Sequence, residues 1–156
     1  MDAAIFTDKP LGLRQRSPLS LDERFEYRAD DNVVFINFEG LKLQTVDHVE
    51  MLAAFLDRRL RDLGRRVNLI VNYDNFDLRS AATARFFAMA REMEQRHFLS
   101  STRYSTQAFY RLKLGQAFAS AKFSQTIYRS FEEATHALSE PARQRSHEAR
   151  FGDGGG

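Results

Sequence analysis

The chain has 156 residues with 23 basic and 21 acidic side chains, four histidines and no cysteine. That length fits one domain with a single core, and the lack of cysteine excludes a disulfide framework, a thiolate metal site and a thiol nucleophile. A net charge of +2, with a pI near 9.1, is too small a surplus to point to nucleic acid. The longest apolar runs are strand-length, far short of the roughly 20 residues that span a bilayer.

Hydrophobic content is an ordinary 43%, but 14 phenylalanines and no tryptophan leave phenylalanine to fill much of the core. The start of the chain lacks the basic-then-apolar pattern of a signal peptide, so a bacterial-type cytoplasmic protein without membrane insertion is expected. Residues 1–20 read as an irregular arm, interrupted by Pro10, Gly12 and Pro18 and carrying Ile5, Phe6, Leu11 and Leu13 for docking. A domain over 21–140 follows, and then a polar, glycine-rich tail over 141–156 that reads as disordered.

Within the domain, Phe25-Glu26-Tyr27 and Val33 to Phe38 read as two strands of a hairpin around the Asx-rich turn Ala29 to Asn32. Asp47-His48-Val49-Glu50 has the form of a capping box with Asp47 as N-cap. Val49, Leu52, Leu56, Leu60 and Leu63 then recur at helical spacing up to Gly64. The opposite face, with Asp57, Arg58, Arg59, Arg61 and Asp62, reads as solvated. Val67 to Tyr73 is apolar at consecutive positions, as a strand covered on both faces should be.

A second helix is predicted from about Ser80 to Arg96, burying Phe86, Met89 or Ala90, and Met93. A short strand at Thr102 to Tyr104 leads into a third helix capped by Ser105, with Tyr110, Leu114, Ala117, Phe118 and Ala121 on one side. Thr126 to Tyr128 reads as a last short strand. Ser130-Phe131-Glu132-Glu133 reads as a capping box opening a fourth helix that ends near Leu138. The order β-β-α-β-α-β-α-β-α implies an α/β fold with a mixed, mostly parallel sheet.

The strand over Val67 to Val71 stops abruptly in Asn72-Tyr73-Asp74-Asn75-Phe76, and a second polar cluster, Arg103-Tyr104-Ser105-Thr106, precedes the third helix. Both lie where strands open into helices, the usual ligand position in open α/β sheets. Asn72, Tyr73, Asp74, Asn75, Arg103, Tyr104 and Ser105 are therefore the candidate ligand or partner surface, with tyrosine and arginine the residue types that dominate interface energies. The structural alternative has Tyr73 and Tyr104 capping the core and Asp74 paired with Arg103. The start of the third helix, beside Arg103, is also a candidate anion site.

No serine sits in a G-x-S-x-G elbow. Histidines 48, 97, 136 and 147 have no zinc spacing, and Asp74, Asn75 and Asp77 lack the glycine and distal glutamate of a calcium loop. No catalytic residue, metal or cofactor is expected. Glu39, beside Gly40 at a strand end, is the one carboxylate placed to attack a thioester, although a turn glycine with an exposed neighbour accounts for it as well.

Several segments carry a family resemblance: Asn37-Phe38-Glu39-Gly40, Leu63-Gly64-Arg65-Arg66-Val67, Val71-Asn72-Tyr73-Asp74-Asn75-Phe76, Thr102-Arg103-Tyr104-Ser105-Thr106 and Arg111-Leu112-Lys113-Leu114-Gly115. Together they make the region from about Phe25 to Leu138 resemble the C-terminal module of bacterial acyl-CoA:acetate/3-ketoacid CoA transferases. The order of elements also resembles the STAS fold of anti-sigma factor antagonists and sulfate transporter tails. In that fold an Asp-Ser pair at a helix start holds the regulatory phosphorylation site; here Asp74 matches the aspartate, but Asn75 stands in place of the serine. The glutamate context and catalytic domains of the transferases are missing.

The resemblance implies a STAS-like accessory or regulatory module that acts by protein interaction, with transferase catalytic subunits or a second copy of itself as partners. Two other expectations stay open: a domain that binds an acyl or CoA-like anion, and an enzyme or transferase component. A deep pocket beneath Tyr73 and Tyr104 would favour the ligand-binding domain.

Overall fold

The computed structural model describes residues 19–138. Residues 1–18 of the predicted arm and the predicted tail lie outside the described residues. A 3-10 turn, Asp22–Arg24, leads into β1 (Phe25–Arg28), β2 (Val33–Asn37), β3 (Lys42–Leu43), α1 (Val46–Leu63), β4 (Val67–Asn72), β5 (Asp77–Leu78), α2 (Ser80–His97), β6 (Phe98–Tyr104) and α3 (Ala108–Ser120). Residues 131–138 form a fourth helix, α4. The main sheet has the order β1-β2-β4-β6. β1 runs antiparallel to β2, and the other pairs are parallel, so the predicted mixed α/β sheet is observed.

Strand alternation sorts the core into two layers. Val34 and Ile36 of β2, with Leu69 and Val71 of β4, face Leu52, Leu56, Phe86, Met89, Met93, Leu114 and Phe118 from α1, α2 and α3. Ile70 and Tyr104, with the half-buried Val33 and Phe35, face Phe131, Ala134 and Leu138 of α4. β4 is thus buried on both sides, which is why its apolar residues do not alternate. The abundant phenylalanine forms a connected ring cluster on the three-helix face: Phe38, Tyr73, Phe76, Phe86, Phe87, Phe118 and Phe123 meet at centroid distances between 5.0 and 5.8 Å.

Several local boundaries differ from the sequence reading. The N-cap of α1 is Thr45, whose Oγ1 accepts from the His48 amide at 3.2 Å. Asp47 lies in the first turn instead, where its charge favours the positive helix end. Gly64 ends α1 in the left-handed region at φ 70°, as predicted. α2 passes directly into β6, which begins at Phe98 rather than Thr102. Two serines in this strand hide it from a hydrophobic pattern. Arg66 makes the abrupt change possible by donating to the carbonyls of Glu94, Gln95 and Phe98, which satisfies the last turn of α2.

The N-cap of α3 is Gln107, not Ser105. The predicted last strand reduces to one parallel bridge between Tyr104 and Tyr128. At Ser130 half of the predicted box forms: Ser130 Oγ accepts from the Glu133 amide, while the Glu133 carboxylate reaches one residue further back and accepts from the amide of Arg129.

The second half of α1 is clasped to the end of α2 through Asp57. Its carboxylate accepts from His97 Nε2 at 2.8 Å and is paired with Arg61 and, at 3.4 Å, Arg96. The His97 hydrogen bond, and after it Arg61, hold this carboxyl below its ordinary value of 3.8 against the opposing effect of burial. A depressed folded-state value makes the contribution complete above the unfolded pKa and lost as pH falls through the folded one. Denaturant titrations between about pH 5 and about pH 2 should therefore show a shallower acid loss of stability in Asp57→Asn than in the parent. Parallel pH profiles would show that the clasp contributes nothing.

Candidate functional site

Beyond the ends of β2 and β4 the two chains keep running side by side. Phe38 donates to Asn72 O, Gly40 to Asp74 O, Asp77 to Leu41 O and Arg79 to Leu43 O, at 2.8–3.0 Å. This continuation produces the small parallel pair β3-β5. The polar clusters after β2, β4 and β6 are thereby brought to one edge. Two left-handed residues make the turns, Gly40 at φ 72° and Asn75 at φ 54°, and asparagine tolerates that region better than other side chains.

Asp74 is the junction. Its Oδ1 accepts from Ser105 Oγ at 2.8 Å and from the Thr106 amide at 2.7 Å, and its Oδ2 accepts from Thr106 Oγ1 at 2.9 Å. The free amide predicted as an anion site is therefore filled by the protein's own carboxylate. Ser105 is fully buried, and its Oγ also accepts from the Gln107 amide at 3.3 Å.

Asn72 is buried too. Its Nδ2 donates to Asn37 Oδ1 at 3.0 Å and to Glu39 Oε1 at 3.4 Å, while its Oδ1 accepts from the Asp74 amide at 2.9 Å. Glu39 is exposed at the rim. Its backbone is fixed by Arg24, whose Nη1 donates to Asn37 O and Glu39 O at 2.9 and 2.8 Å. Burial pulls the Arg24 guanidinium down to about 10, with Glu39 acting in the opposite sense. It stays charged at neutral pH, and its Nε has no hydrogen-bond partner among the described residues. Sequence reasoning missed Arg24 because an arginine before a strand reads as surface.

The other candidates separate. Tyr73 is buried among Phe38, Phe76 and Phe118, and burial raises its phenol well above the ordinary range. Arg103 lies on the same face, its guanidinium 4.1 Å above the Phe118 ring centroid and donating to Ser124 O at 3.1 Å. Its nearest carboxylate is Glu94 at 3.9 Å, so the alternative pairing with Asp74 is not formed. Tyr104 points to the opposite face, edge-on to Phe131, and burial, then Asp74 and Glu39, push its phenol up to about 12. Asn72, Asp74, Asn75 and Ser105 thus share the sheet edge, while the three larger side chains extend into the two layers beneath it.

The first turns of α3 rise from this edge. They carry Phe109 and Leu112, which are 69% and 62% exposed and lie three residues apart on one helix face. Sequence reasoning passed over both because it followed the buried side of α3.

Among the described residues, no group of three histidine or acidic side chains could hold a metal ion, and no helix is long and apolar enough to cross a membrane. Comparison with protein-family models, with curated proteins and with solved structures yields no match.

Three charge-assisted bonds converge on one carboxylate, so its removal should be costly even though it sits near the surface. Asp74→Ala is expected to lower unfolding free energy by about 2–3 kcal/mol in urea titrations at neutral pH. A loss below about 0.5 kcal/mol, the level of an ordinary surface change, would show that the junction carries no load.

Proposed function

We propose that this chain is a non-catalytic, STAS-like interaction module that engages a protein partner through the carboxyl edge of its sheet and the adjoining start of α3. The observation that carries this reading is the apolar pair Phe109 and Leu112, standing exposed on the first turns of α3 directly after Thr106, which Asp74 ties to the polar sheet edge. Apolar anchors ringed by polar groups are the usual anatomy of a protein interface. Leaving aside the small β3-β5 pair, the main-sheet strands and helices follow in the order β-β-α-β-α-β-α-α, with a single bridge where the last strand was expected, and this supports the STAS-like reading. A transferase catalytic subunit, or a second copy of the chain, is the proposed partner.

Catalysis at this edge is disfavoured by its own hydrogen bonding. Asp74, Asn72 and Ser105 are committed to one another and to neighbouring amides. His97 is held by Asp57, and His48 Nδ1 accepts from the Gln44 amide, so neither serves Glu39 as a base. An acyl-binding role is also disfavoured here. The cavity beneath Tyr73 measures about 50 Å³, against about 150 Å³ for a cavity that admits benzene.

The test is photo-crosslinking in the native host cell, with a benzophenone side chain at position 109 and, as control, at exposed position 58. An adduct specific to 109 is expected, and the captured partner, once purified, should bind Phe109→Ser/Leu112→Ser at least about tenfold more weakly than the parent. The same variant should unfold at the parent's temperature, because both side chains are exposed. Equal crosslinking from both positions, or unchanged affinity in the variant, would refute the reading. So would CoA transfer from an acyl-CoA to acetate that Glu39→Gln abolishes.

A further inference from the structure

A second concave surface lies away from the carboxyl edge. It is a cleft of about 410 Å³ formed by α2, the outer part of β6, segment 122–128 and α4, a size within the range of small-molecule sites. Its charged lining is Arg91, Arg103, Lys122 and Glu94. Glu94 is already engaged, accepting from Ser101 Oγ at 3.3 Å and lying 3.9 Å from Arg103. The cleft therefore holds three cations against one committed carboxylate.

The two arginines are held in place. Arg103 is only 9% exposed, rests on Phe118 and donates to Ser124 O. Arg91 donates to Ala121 O at 2.6 Å. Both guanidinium groups also sit over the ring of Phe123, at 4.5 and 5.8 Å from its centroid. Each has five N–H groups and uses one in these bonds, leaving the others for an acceptor. Lys122, between the two anchoring carbonyls in sequence, takes the left-handed conformation (φ 68°) that closes α3, its amide donating to Ala119 O and that of Phe123 to Phe118 O, so its position follows from the helix end. The hydroxyls of Ser124, Thr126 and Tyr128 complete the rim.

We propose that this cleft binds a phosphate-type polyanion on a small molecule. Planar guanidinium forks match phosphate oxygens, and a surplus of two positive charges matches a dianion better than a single carboxylate. This function is separate from the protein surface at Phe109. Of the residues first assigned to the carboxyl edge, Arg103 belongs to this cleft.

Calorimetric titration of pyrophosphate into the full chain at low salt provides the test. Saturable 1:1 binding is expected, weakened at least about tenfold in Arg91→Gln/Lys122→Gln, since charge-assisted bonds are lost, and weakened by added sodium chloride. Both replaced side chains are exposed, and Phe109→Ser/Leu112→Ser should bind as the parent does. In the parent chain, pyrophosphate should shift backbone amide resonances of residues 121–128. Absence of saturable binding, equal affinity in the double variant, or shifts confined to residues 105–107 would each overturn the proposal.

Discussion

The carboxylate of Asp74 accepts three hydrogen bonds from two consecutive residues of the β6–α3 loop, while its own carbonyl accepts the Gly40 amide from the loop after β2. Three parallel segments are tied at one residue. Without such a tie each loop would carry unpaired amides at the sheet edge, and the start of α3 would be free to shift. With it, the helix that presents Phe109 and Leu112 is set in a fixed position relative to the rim. The arrangement resembles an occupied anion site in which the protein supplies the anion.

Beneath that edge, the side chains that appear most suited to binding are used for packing. Tyr73 closes the aromatic cluster and Tyr104 closes the smaller layer under α4. Strand alternation makes this unavoidable, because consecutive residues of β6 must point to opposite faces. The binding capacity of the edge is consequently carried by small polar groups and by the apolar pair on α3. The guanidinium of Arg103, turned toward α2 and Phe118, becomes the floor of a basic cleft instead.

Much of the architecture was legible because it rests on periodicity. The repeat Val49, Leu52, Leu56 and Leu60 defines α1, the doubly apolar run at Val67 to Val71 defines the central strand, and Gly64 marks a helix end. Features set by tertiary contacts were not legible. The start of β6 at Phe98 depends on Arg66 capping α2 from a distant loop, and the β3-β5 pair exists only because two loops happen to run in parallel. Ser105 looked like a helix cap, but the N-cap position lies two residues further on, at Gln107, and the Ser105 hydroxyl reaches only the Gln107 amide while it donates to Asp74. Asp74 and Arg103 both lie where parallel strands end, which suggests a pair between them, but the pleat turns Arg103 and the two tyrosines into the layers and leaves Asn72, Asp74, Asn75 and Ser105 at the edge.

The central claim is that Asp74 locks the β6–α3 loop into a rigid platform. The most direct measurement is amide hydrogen exchange at Thr106 followed by nuclear magnetic resonance. Thr106 is exposed and lies outside any helix or strand, so only the bond from its amide to Asp74 Oδ1 can slow its exchange. The account predicts strong protection of that amide in the parent chain, lost in Asp74→Ala while the amides of β4 stay protected. Exchange of Thr106 at the rate of an unstructured loop in the parent would contradict it.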